Sequence, residues 1–276
     1  HMRSNNPVLS KADAWQTQPV QSQYAPGQPY PGQIGAPQYD PQFQSPQVDL
    51  RQEGVMTIDD VITKSAIVMG VLMLTAALTF MYMPAQLLYG SMIIAGLVAF
   101  GTVMLVSFRR AINPGFVLAY AAIEGVFIGA ISKVFESYYP GIVTPAVLGT
   151  FVAAGATLFA YKAFRIKVTD RFRKMIVIGT IAYAGVLFVN FILSLFGVNT
   201  GIISMTGQVS VIALLASAVG VGLAVFNLIL DFDYIEQGIA LRAPASESWR
   251  AAFGLTVTMV WLYTEILRIL SYFQRN

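Results

Sequence analysis

Cysteine is missing from the chain altogether, and histidine occurs once, at position 1. The first absence excludes disulfides, thiol nucleophiles and cysteine-ligated zinc or iron–sulfur sites. His1-Met2 reads as a cloning remnant. With it set aside no histidine is left, which excludes histidine-ligated haem or zinc and a Ser-His dyad. Charge is scarce as well. Asp, Glu, Lys and Arg make up 11% of the 276 residues, against about 25% in an average soluble domain. Apolar residues make up 56%, and mean hydropathy is +0.63. Together these exclude a disordered chain, a coiled coil and an ordinary nucleic-acid-binding domain. They point to a membrane protein, and the spans traced below make it an all-α one. The net charge of +3 is spread between apolar runs, so it is read as membrane topology and not as a nucleic-acid patch.

Residues 1–54 differ from the rest. They hold eight of the thirteen prolines and are rich in Gln, Gly and Tyr, as in Tyr24-Ala-Pro-Gly-Gln-Pro-Tyr30. With no apolar period the stretch cannot bury a core, so it is expected to be a disordered cytoplasmic tail. A proline-motif ligand is the alternative to a merely solvated segment. It has no apolar run of a length that would make a signal peptide. Residues 55–276 are expected to form a transmembrane domain. Thr57 can cap a first helix that carries Asp59 and Asp60 in its first turn.

Ser65 to Phe108 contains no charged residue. At about 20 residues per crossing it holds two spans, turning at Met83-Pro84-Ala85. Phe116–Ser132 makes a third span, broken only by Glu124, and Ser137–Tyr161 a fourth. Met175–Leu230 is again uncharged and is divided at 196–201 into a fifth and a sixth, which ends at Asp231-Phe-Asp-Tyr-Ile-Glu236. Ala251–Phe273 is a seventh. Basic residues cluster in the Arg109/Arg110 loop, between Lys162 and Lys174, and at Arg242/Arg250. The loops near Pro84 and Asn199 have none. The positive-inside rule therefore places the N-terminus in the cytoplasm; the side of the C-terminus depends on whether the last segment crosses fully. Gly125/Gly129 on the third span and Ala216/Gly220 on the sixth are small-residue faces suited to close helix packing, without naming a partner.

Glu124, Glu265 and Arg268 stand out inside these spans, and Asp231 sits at the end of one. A charge near the bilayer centre costs about 2.5–3.5 kcal/mol on insertion scales, so such groups need a partner or a water-filled cavity. Glu265 and Arg268, three apart on one helix, can pair with each other. Asp231 shares a helix face with Asn227, toward the bundle. Asp233 and Glu236 lie on another face and are expected to be solvated. Two carboxylates close together in low dielectric share a proton. Sharing holds two helices together, loss of the proton drives them apart, and the freed oxygens suit calcium.

The chain resembles the bacterial branch of the Bax inhibitor-1-like (transmembrane Bax inhibitor motif) family. The resemblance rests on Met56-Thr-Ile-Asp-Asp60, Ile123-Glu-Gly-Val-Phe-Ile-Gly-Ala-Ile131, Tyr139-Pro-Gly-Ile-Val143, Asn227-Leu-Ile-Leu-Asp-Phe-Asp-Tyr-Ile-Glu236 and Trp261-Leu-Tyr-Thr-Glu-Ile-Leu-Arg268. It covers about residues 55–273 and leaves out the tail. It implies a seven-transmembrane-helix bundle with a central C-terminal helix, in a bacterial plasma membrane, acting as a pH-sensitive calcium leak. In that family an Asp ending the sixth helix faces an Asp on the seventh, forming a proton-sensing latch. Asp231 matches the first and is the one residue expected to meet calcium. Thr258 falls at the second. Glu265, two turns further along, and Glu124, on the third helix, are the acids available to replace it. Arg109, Arg110 and Arg268 are candidate latch partners.

The leading expectation is thus a carboxylate-gated calcium or cation leak, needing no cofactor and contacting lipid, calcium and protons. The alternative is a regulatory membrane protein that binds another membrane protein, such as a protease or envelope complex, and moves no ion. Catalysis is not expected. An intramembrane aspartyl protease needs two apposed Asp, and the last segment has none.

Overall fold

The computed structural model describes residues 54–203 and 207–275; the expected tail lies outside them. Seven helices follow in order: α1 (Ile58–Tyr82), α2 (Leu88–Phe108), α3 (Pro114–Tyr138), α4 (Val143–Ala163), α5 (Asp170–Leu195), α6 (Val211–Ala240) and α7 (Glu247–Gln274). Each is long and apolar enough to cross a bilayer. This is an all-α membrane bundle.

Local chemistry sets the helix ends. The Thr57 side chain accepts from the Asp60 amide at 3.2 Å, the Asn113 side chain from Gly115 at 2.8 Å with Pro114 next in line, and Ser210 from Ala213 at 3.0 Å. Each satisfies an otherwise orphaned helix N–H. At the far end of α1, Lys133 donates to the Met83 carbonyl at 2.7 Å. The Glu136 carboxylate accepts from the Gly141 and Val143 amides where α4 begins.

Several boundaries differ from the sequence expectation. Helix α3 continues through Lys133 and Glu136 to Tyr138, so α4 starts at Val143 instead of Ser137. Helix α5 begins inside the basic cluster, with Arg171, Arg173 and Lys174 in its first turns. Helix α6 runs nine residues past Asp231. Charged side chains at these ends are long enough to reach interfacial water while their stems stay in the helix. Charge-free runs therefore mark the hydrocarbon-facing part of a helix and not its full length.

Helix α7 packs against α1, α3, α4 and α6, whereas α2 rests on α3 and α5 on α6. The last helix is central, as the resemblance implies. Where α1, α3 and α7 meet, Val68, Leu72, Val117, Tyr120, Ala252 and Phe253 form one buried cluster. Arg275, just past α7, lies over the Tyr139 ring in the α3–α4 turn. The start of α1 is joined instead to the α6–α7 turn, through Met56 N–H to Ala243 O and Lys64 Nζ to Ala245 O. Helix α7 therefore traverses the whole bundle and ends on the face opposite the start of α1.

The small-residue face on α3 has a definite partner. A Cβ on Gly125 would lie 1.7 Å from Thr75 Oγ1, and one on Gly129 would lie 2.4 Å from the Ala76 carbonyl oxygen. Only hydrogen fits there, so α1 and α3 approach at backbone contact. Gly129→Ala is expected to cost about 1–3 kcal/mol as an overpacking change, because its nearest obstacle is backbone. Gly101→Ala, which has open space around it, should have no such effect. Thermal unfolding in detergent checks both.

Candidate functional site

Asp231 stands on α6 about two and a half turns before the helix ends, not at its terminus. The reason is the continuation of α6 through Asp233 and Glu236, whose side chains find cations. Asp233 is buried and pairs with Arg173 of α5 at 2.7 Å. Glu236 pairs with Lys162 of α4 and accepts from Tyr161 at 2.6 Å. The expectation that Asp233 is solvated is therefore corrected. Two members of the basic cluster neutralise the α6 acids and tie α4 and α5 to that helix.

Asp231 has no such cation. Its Oδ2 is fully buried and has no hydrogen-bond partner among the described residues. Its carboxyl faces α7. The Thr258 hydroxyl interacts with it, and a Cβ on Gly254, one turn earlier, would lie 3.5 Å from Oδ1. The Thr258 hydroxyl also donates to the Gly254 carbonyl at 3.1 Å. One turn earlier on α6, Asn227 donates to Thr180 of α5 at 2.8 Å. That bond fixes the rotation of α6 that turns Asp231 inward.

The other sequence-selected residues lie apart from this point. Glu265 is buried on α7, two turns beyond Thr258. It pairs with Arg268 and accepts from Tyr183 of α5 at 2.7 Å. Arg268 also donates to the Tyr183 hydroxyl at 2.9 Å, and the Trp261 indole donates to Glu265 at 3.3 Å. This cluster sits on the bare backbone of Gly220, where a Cβ would come within 2.6 Å of the Glu265 carboxyl carbon. Gly220 is 11 residues before Asp231, about 16 Å along α6. Glu265 therefore does not meet Asp231, and Arg268 is committed to Glu265.

Glu124 is buried on α3, one turn from Tyr120, and has no hydrogen bond or ion pair among the described residues. It does not reach Asp231 either. Arg109 and Arg110 are exposed. Their carbonyls accept from Arg250 at 3.2 and 3.0 Å, and the Arg109 guanidinium lies over the Phe116 ring. Neither is among the groups that interact with Asp231. Among the described residues no three acidic side chains converge.

What the geometry assembles is an acid with one buried, unpartnered oxygen, opposed by a hydroxyl on the central helix. The Bax inhibitor 1 like family model matches residues 6–275. The chain belongs to that family. The match takes in nearly the whole chain, including most of the N-terminal stretch that the quoted motifs leave out. No curated protein shows significant similarity to the chain. On α7 the side chain that interacts with Asp231 is Thr258. Sequence reading missed Tyr183, Trp261 and Gly254. Gly220 was visible only as a small residue, with nothing to say that a carboxyl fills the space it leaves.

Proposed function

We propose that this chain is a pH-sensitive calcium or cation leak of a bacterial plasma membrane, gated where α6 meets α7 at Asp231. Membership of the Bax inhibitor 1 like family supports the class of function. The observation that carries the reading is the buried Asp231 carboxyl, with one unpartnered oxygen, facing a hydroxyl on the central helix. A protonated acid suits that setting, since it can donate one hydrogen bond and carries no charge. An ionised one needs water or a cation, which can reach it only if α6 and α7 separate. Opening therefore follows deprotonation, and flux rises with pH. No catalytic step and no resident cofactor enter this scheme.

The test is calcium flux in liposomes holding the purified full chain, measured between pH 6 and 8. Flux that climbs with pH supports the gate. Absence of flux at every pH would favour the regulatory protein that acts by binding a membrane partner.

Orientation belongs to the same proposal. Lys162, Arg165, Lys167, Arg171, Arg173 and Lys174 lie at one end of the bundle, and the α5–α6 connection at the other end has no basic residue. Reporter fusions between 164 and 169 should read cytoplasmic, and fusions at Asn199 external. A cytoplasmic signal at Asn199 would reverse the assignment, including the cytoplasmic N-terminus.

A further inference from the structure

Helices α1 and α4 both pack on α7 but not on each other. Between them runs an apolar slot of about 360 Å³, within the range of sites that hold small molecules. Its floor is buried: Leu72, Ile128, Met259 and Tyr263. One lip is Met73, Ala77 and Met81, spaced four apart on α1, and Phe151 stands on the other, on α4. All four lip residues are exposed, so the slot opens sideways, within the membrane-spanning part of both helices.

The polar atoms in the slot are already satisfied. Ser132 and Tyr263 hydroxyls bond each other at 2.6 Å, and Thr150 donates to the Ala146 carbonyl at 2.7 Å. The lining therefore offers dispersion contact and no unmet hydrogen bond. From Met69 to Met81 it spans 12 residues of α1, about 18 Å. One leaflet of a bilayer core is about 15 Å deep. The dimension matches a single acyl chain lying along the helix.

The end of the slot near Met81 carries positive charge. Lys133 follows Ser132 of the slot floor, and its ammonium binds the Met83 carbonyl, a neutral group that leaves the charge uncompensated. Glu136, in the same turn, keeps its charge but is held by two amides at the start of α4 and makes no ion pair with Lys133 among the described residues. A phosphate headgroup at this end would meet a cation.

We propose that the α1–α4 slot is a binding site for one acyl chain of an anionic phospholipid, with the phosphate beside Lys133. The site is separate from the Asp231 gate and does not depend on it.

The full chain is reconstituted in vesicles containing phosphatidylglycerol with a photoactivatable group midway along one acyl chain, and labelled peptides are mapped. Label is expected to concentrate at 73–81 and 147–151. Val147→Trp, which fills the slot from the α4 side, should lower that labelling by about tenfold or more, as expected for loss of a bound ligand. Ala77→Phe, filling it from α1, should do the same and serves if the first variant folds poorly. Leu74→Trp, exposed to lipid and outside the slot, should leave it unchanged. Lys133→Gln should abolish preference for the anionic lipid over a phosphatidylcholine probe carrying the same group. The proposal fails if label spreads evenly over the exposed helix faces, or if the filling variants label like the parent. It fails equally if the slot instead yields cross-links between two copies of the chain.

Discussion

Replacing Asp231 with Asn is expected to remove most of the pH dependence of calcium flux and to hold it near the low-pH level of the parent. Asn keeps the size and hydrogen-bonding capacity of the protonated acid but cannot acquire charge. Ionising a carboxyl in this position without solvation costs about 2.5–3.5 kcal/mol. At about 1.4 kcal/mol per factor of ten that is on the order of a hundredfold in the open–closed equilibrium. The parent should therefore change its flux by roughly tenfold or more between pH 6 and 8, and Asp231→Asn by less than about twofold. Thr258→Asp provides the converse. It places a second carboxyl against the first, so the two share a proton when closed and repel when it is lost. Its pH response should be steeper than the parent's. If Asp231→Asn follows the parent at every pH, the gate does not lie at this carboxyl.

The seven spans were legible because hydrocarbon excludes most charge: five crossings left charge-free runs, and the third and seventh were interrupted only by Glu124 and by Glu265 and Arg268. The turn at Pro84 and the Thr57 cap were equally local signals. The helix ends were less legible, since Lys133, Arg173 and Glu236 stay helical while their side chains reach carbonyls, acids or water. That extension is what moved Asp231 from a helix terminus into the bundle and away from Arg109 and Arg110. Period alone could assign Asp231 to the inward face, shared with Asn227. It could not tell which of Thr258, Glu265 and Glu124 lies opposite, because that depends on how α7 is set against α6. The Glu265 carboxyl seated on Gly220 sets α7 against α6, and the Asn227 bond to Thr180 sets α6 against α5. Both are contacts between residues distant in sequence.

The same register gives Glu265 and Arg268 a structural role with a large expected penalty. Glu265 is 1% exposed and Arg268 8%, so removing either charge strands the other where water cannot reach it. Breaking one partner of a buried pair costs about 3–5 kcal/mol. Glu265→Gln and Arg268→Met should each lower thermal stability in detergent by that order. The double variant should lose less than the sum, because no charge is left stranded. Tyr183→Phe removes the hydroxyl that accepts from Arg268 and donates to Glu265, at an expected cost of about 1–3 kcal/mol. That hydroxyl ties α5 to α7 across α6, so its loss should also increase amide exchange in α5 more than in α3. Calcium flux per folded molecule should keep the parent's pH profile in Glu265→Gln. Its effect should add to that of Asp231→Asn, since about 10 Å of α7 separates Glu265 from Thr258. A stable Glu265→Gln protein with an altered pH profile would instead make this ion pair part of the gate.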